Sequence, residues 1–156
     1  MGIRGGQIRD DTITGEEVNE DTLILTYPFN AKYTAIDTTN IQYVRWASAG
    51  SNTSPGVNNK FIVPADGALK SVLVRSTHQP GNTAISLHKA PNGVEDLSET
   101  PVETISINLS TANTTVEAVF TGAATFSAGE IIGISVNPAN PHGNVDLTIL
   151  VEFNGL

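Results

Sequence analysis

Any chemistry in this sequence would have to come from three histidines, one tryptophan and a few paired acids. An imidazole can hold a metal or move a proton near neutrality, but His78, His88 and His142 show neither HExxH nor HxH spacing. His88 alternates within "ISLHK" and reads as a strand residue. His78 and His142 lie in the turn-rich stretches "HQPGN" and "NPHGN". If those two loops share one end of a domain, they make a candidate ligand or metal site. In an oligomer, copies of one histidine could also meet on an axis. The acid pairs are Asp10-Asp11, Glu16-Glu17, Glu20-Asp21 and Glu95-Asp96. A glycosidase needs two carboxylates about 5–10 Å apart across a cleft, whereas adjacent acids in polar segments read as solvated faces. Calcium loops of the D-x-D type, G-x-S-x-G, the P-loop and G-x-G-x-x-G are all missing. Trp46 has two readings: packing in the core or at a subunit interface, or a stacking platform for a sugar face. The expectation is therefore a protein that is not an enzyme, with no catalytic residue, no cofactor and no metal ligand. Trp46, His78 and His142 are the residues that could face a ligand.

The elements that would carry these residues are strands. From position 41 onward the sequence breaks into eight short apolar runs, within residues 41–48, 60–65, 69–76, 84–89, 103–110, 115–122, 130–138 and 145–154. Several alternate with period two, as in Ile105-Ile107-Leu109 and Val145-Leu147-Ile149-Val151-Phe153, and Gly, Pro and Asn separate them. This predicts an all-β fold: an eight-stranded, jelly-roll-like β-sandwich over residues 41–156. "GVEDLSE" could form one helical turn. Gly133, inside a strand pattern, marks a bulge or a close backbone approach. Gly67, Gly93, Gly122, Gly129 and Gly143 are placed to supply positive φ at turns. Residues 26–40 read as a connector that could add an edge strand, with Tyr27, Phe29 and Tyr33 sealing the base of the domain or a neighbour's surface.

The chain is long enough for one domain with a substantial core. Its net charge of −8 argues against nucleic acid, which needs a basic footprint, and against anionic membranes. No apolar run approaches the ~20 residues of a membrane span, so membrane insertion is not expected. No secretory signal is visible. Without cysteine, disulfides and thiolate chemistry are excluded, and oligomerisation is the alternative means of stapling the fold.

The first 25 residues follow another rule. Ile3, Ile8, Ile13, Val18 and Leu23 recur every five positions among glycine pairs, acids and hydroxyls. A helix needs a spacing of three to four and a half-buried strand needs two, so five fits neither. One reading is a polar tail that cannot bury enough to offset chain entropy. A second is one capped turn at Thr14-Gly15-Glu16-Glu17, which has capping-box spacing but no apolar face after it. The third is an extended arm whose aliphatics are buried only by another chain, each contributing ~1.5–3 kcal/mol when covered.

The stretch "GGQIRDDTITGEEVNEDTL" resembles the N-terminal segments of bacteriophage fibre and related virion proteins. Gln7, Ile8, Asp11, Thr12, Ile13, Thr14 and Gly15 are the matching positions. "FSAGEIIGISVNPANPHGNVDLTILVEF" is similar in style to the jelly-roll heads of phage decoration and fibre proteins. The resemblance implies a virion structural protein, either a short head fibre or a capsid decoration protein, since long host-recognition fibres are several times larger. It implies a homotrimer anchored to capsid, neck or tail proteins through Ile3, Ile8, Ile13, Val18 and Leu23. It implies a location in the virion after synthesis in the host cytoplasm. The alternative is a module at a fibre tip that binds a host-surface glycan.

Overall fold

The computed structural model describes residues 24–35 and 39–154. The anchor positions Ile3, Ile8, Ile13, Val18 and Leu23 lie outside the described residues. Two antiparallel sheets pack face to face. One holds β1 (Ile24–Ala35), β11 (Gly143–Asn154), β5 (Gly67–Ser76) and β8 (Thr115–Val119) in that order, with β9 (Thr125–Phe126) added against β5. The other runs β3 (Ser51–Asn52), β2 (Gln42–Val44), β10 (Ile131–Pro138), β6 (Gly81–Ala90) and β7 (Glu103–Leu109), with β4 (Phe61–Ile62) against β10. With the three short strands β3, β4 and β9 set aside, the eight that remain wind back and forth between the sheets in jelly-roll order. The all-β, jelly-roll-like sandwich expected from the sequence is the fold.

Each sheet turns its apolar face inward because apolar residues alternate with polar ones. On β11, Val145, Leu147, Ile149, Val151 and Phe153 are buried while Asn144, Asp146 and Asn154 are exposed. Ile132, Ile134 and Val136 of β10 meet them from the other sheet, with Leu69, Val72, Val74, Ile85 and Leu87 completing the centre. β5 and β11 shift register between Leu150 and Val151, which face Ser71 and Leu69. Lys70 is the extra residue of this bulge, and its ammonium reaches Glu152 at 3.3 Å. The bulge keeps both Leu69 and Val72 pointing inward.

Every apolar run nominated in the sequence contains a strand, but their weights differ. Residues 60–65 supply only the two-residue β4. The segment read as a connector instead holds β1, twelve residues paired along β11 from Ile24↔Asn154 to Ala35↔Gly143. Phe29, Ala31 and Tyr33 point inward and Asn30, Lys32 and Thr34 outward, so the strand obeys the same alternation as the others. Tyr27 packs edge-on against Phe153, with ring centroids 5.8 Å apart.

"GVEDLSE" is not helical. The helical turn found among the described residues is a short 3-10 turn at Val57–Asn59. Residues 91–102 instead form a strap along β6, with Ser98 N–H donating to Lys89 O and Val102 N–H to Leu87 O. Leu97 of the strap tucks against Gly133, where an added Cβ would collide with Leu97 Cδ1 and lie 3.0 Å from Asn59 O. Gly133 therefore marks a close approach, and the bulge lies elsewhere. Gly67 is absent from the positive-φ positions; its lack of a side chain makes room for Glu152 O and the Phe126 ring.

Candidate functional site

The loops carrying His78 and His142 meet at one end of the sandwich. Ala139 N–H donates to Asn82 O at 2.8 Å, and Asn140 N–H to Pro80 O at 3.1 Å. Thr77 N–H donates to Asn144 O, and Asn144 N–H returns to Thr77 Oγ1, each at 2.9 Å. Gly143 sits at the corner with φ +70°, and any side chain there would strike the His78 ring. The positive φ and the missing Cβ together let the two loops close.

The two imidazoles nevertheless part company. His78 stays on the surface, with Nδ1 3.2 Å from Thr77 Oγ1. His142 is fully buried, edge-on to Tyr33 at 5.5 Å, with Nε2 3.3 Å from the Tyr33 hydroxyl. Burial pushes its pKa down to about 4, and burial also raises that of Tyr33 well above the phenol range. His142 is therefore neutral at pH 7 and cannot face a ligand, which corrects the sequence expectation for this residue. Among the described residues, no three His, Cys, Asp or Glu side chains gather as a metal site would require.

Trp46 is held by packing. β2 ends at Val44, so Trp46 falls in the turn after it, next to Ala47 at φ +50°. Its half-buried ring lies 5.1 Å from Phe61 at an interplanar angle of 30°, with Phe29 edge-on at 5.4 Å. These three rings close the seam between β1 and the β2–β4 edge. Indole Nε1 is buried without a hydrogen-bond partner.

Sequence reading missed the side chains around a polar depression beside the 47–50 loop. A trough of about 740 Å³ is lined by Lys32, Thr34, Ser51, Thr77, Asn144 and Asp146. A neighbouring hollow of about 390 Å³ shares Lys32 and Asp146 and adds Asn30, Ser48 and Thr148. The 47–50 loop forms its wall: Gly50 N–H donates to Lys32 O at 2.6 Å and Lys32 N–H to Ser48 O at 3.4 Å. The floor is the solvent face of β1 and β11, where the register sets Lys32 beside Asp146 and Asn30 beside Thr148. Amides and hydroxyls there already bond one another, Thr34 Oγ1 to Asn144 Oδ1 at 2.8 Å for example. Such a surface can hydrogen-bond a neutral polar ligand. It holds no nucleophile–base pair.

His88 and Ser135 do form a buried hydroxyl–imidazole pair. His88 lies on the outward side of β6 with Nε2 2.9 Å from Ser135 Oγ and Nδ1 2.8 Å from Ser98 O. Its ring is tilted against Tyr43 at 5.1 Å, and burial lowers its pKa. Both residues are closed to solvent. The pair fastens the strap at Ser98 onto the sheet.

No protein-family model matches the chain, and no curated protein matches it. Several solved structures are similar in outline. A Bacillus endospore appendage, described as one of a family of disulfide-linked pili, is 12% identical with a TM-score of 0.40, covering 84% of this chain and 88% of that one. Murine APRIL is 9% identical with a TM-score of 0.39, covering 79% and 99%. The C-terminal family 22 carbohydrate-binding module of Clostridium thermocellum Xyn10B is 11% identical with a TM-score of 0.35, covering 60% and 58%. At these values the likeness carries no information about ligand or partner.

Proposed function

We propose that this chain is a non-enzymatic structural protein of a bacteriophage particle, a short fibre or capsid decoration protein. Residues 1–23 anchor it, and the sandwich is the displayed head. The observation that carries this reading is the five-residue aliphatic repeat ending at Leu23, immediately before an edge strand. It delivers the chain to β1 at Ile24, which is 57% exposed, while the 77–80 and 139–142 loops occupy the opposite end. The point where residues 1–23 join the head and these loops are thus separated by the length of the sandwich. The anchored form in this reading is a homotrimer, made in the host cytoplasm and carried in the virion on capsid, neck or tail proteins. The test is co-sedimentation with virions, run beside light scattering, for the full chain and for a chain lacking residues 1–23. Loss of particle binding on truncation supports the anchor. Equal binding by both chains, or by neither, overturns it.

The polar trough favours a second reading, a head that binds a neutral host-surface glycan. Lys32→Ala and Asn144→Ala should then each weaken binding about tenfold in calorimetry, the loss of roughly one charge-assisted or neutral hydrogen bond. A broad glycan panel that gives no heat with the unaltered protein would sink this second reading.

A further inference from the structure

At the end where β1 begins, the outer surface of the second sheet carries a shallow groove of about 390 Å³, lined by Ile62, Pro91, Val94, Glu95 and Ile131 among others. Ile62 and Ile131 are cross-strand partners on β4 and β10. Ile62 is 68% exposed and Val94 47%, so the groove presents open aliphatic surface. The rim is acidic. Glu95 and Asp96 share the single ammonium of Lys60, at 3.0 and 3.2 Å, so one negative charge is left over on the most exposed side of the groove. An occupant should therefore offer an aliphatic side chain next to a cation.

The sequence offers that pairing twice. Ile3-Arg4 and Ile8-Arg9 repeat five residues apart, and the first nine residues contain both arginines of the arm and no acid. All six acids of residues 1–23 fall from Asp10 to Asp21, so residues 1–9 are the part that suits an acidic rim. From Ile8 to Ile24 the chain can span at most about 55 Å, more than the width of a head this size, so the groove of a neighbouring head is within reach. Binding within one chain would strand Ile13, Val18 and Leu23 in a solvent-facing return loop. Exchange between copies would let these aliphatics cover one another.

We propose that this groove receives residues 3–9 of a second copy, with Ile3 or Ile8 against Ile62, Val94 and Ile131 and the adjacent arginine on Glu95 and Asp96. The proposal rests on the reading of residues 1–23 as an arm and names what residues 3–9 of it hold. Several such contacts per assembly multiply through effective concentration, so a weak single contact suffices.

The cysteine-free chain allows a direct test. Two full-length chains, Ile8→Cys and Val94→Cys, are co-expressed and oxidised, and the disulfide-linked peptides are identified by mass spectrometry. A link from residue 8 to residue 94 can then form only between copies. The expected result is that link as the dominant product, falling at least tenfold when Ile62→Asp is added or when Arg4→Glu and Arg9→Glu are added. Ile62 is exposed, so its loss does not threaten the core. Associated chains that give no such link overturn the groove but leave the virion reading standing. A third chain carrying both cysteines is oxidised alone, and a link there without one between the single-cysteine chains overturns exchange between copies. Chains that are monomeric, unlinked and absent from virions overturn both.

Discussion

Protonating His142 places a charge in the buried interior, where the ring meets Tyr33 edge-on. Its pKa falls from the ordinary 6.5 to about 4 on folding, so the unfolded chain binds more protons between those values. Stability is complete above about pH 6.5 and is lost as pH drops towards 4, by at most ~3 kcal/mol after allowing for partial screening. His88 adds to the trend with the same sign. Urea melts at several pH values should show a flatter profile for His142→Gln, with a lower plateau at pH 7 because the Tyr33 contact is lost. Ser135→Ala leaves His88 Nε2 buried without its partner and should cost about 1–3 kcal/mol in the same melts. The two loop histidines were visible in the sequence as neighbours of turns. Their opposite fates were not, because which imidazole enters the core depends on Tyr33, more than a hundred residues away from His142.

Most strands were legible because each obeys a period of two between turn residues. β1 obeys it as well, with Tyr27, Phe29, Ala31 and Tyr33 on one face, but the polar residues between them and Pro28 made the stretch read as a connector. Its position at the sheet edge explains the proline. Lys32 uses its N–H and C=O on the open side, bonding the 48–50 loop. Pro28 shares that parity, so its missing N–H costs no ladder bond and blunts the edge against pairing. Phe29→Ala removes the ring that packs against both Trp46 and Phe61 and should destabilise by about 2–4 kcal/mol, with a red shift of Trp46 emission that reports the opened seam. The strap could not be read from local pattern, since Leu97 packs against Gly133, distant in sequence. Gly133→Ala should displace the strap, costing about 1–3 kcal/mol and raising hydrogen exchange at Ser98 and Val102 more than in the central strands.

At the scale of the whole molecule, Ile24 and Asn154 are cross-strand neighbours, while Ala35 and Gly143 close the same ladder at the far end. This arrangement has a mechanical meaning. A head tethered at residue 24 and pulled from the 77–80 or 139–142 loops is loaded along β1, so the hydrogen bonds to β11 resist in shear and must fail together. A pull that separates residue 24 from residue 154 loads the same ladder at one end and unzips it bond by bond. Single-molecule traction along these two axes should give rupture forces several-fold apart, the higher one for the tether-to-loop direction. A head built to withstand drag at the end of a tether needs strength on that axis alone.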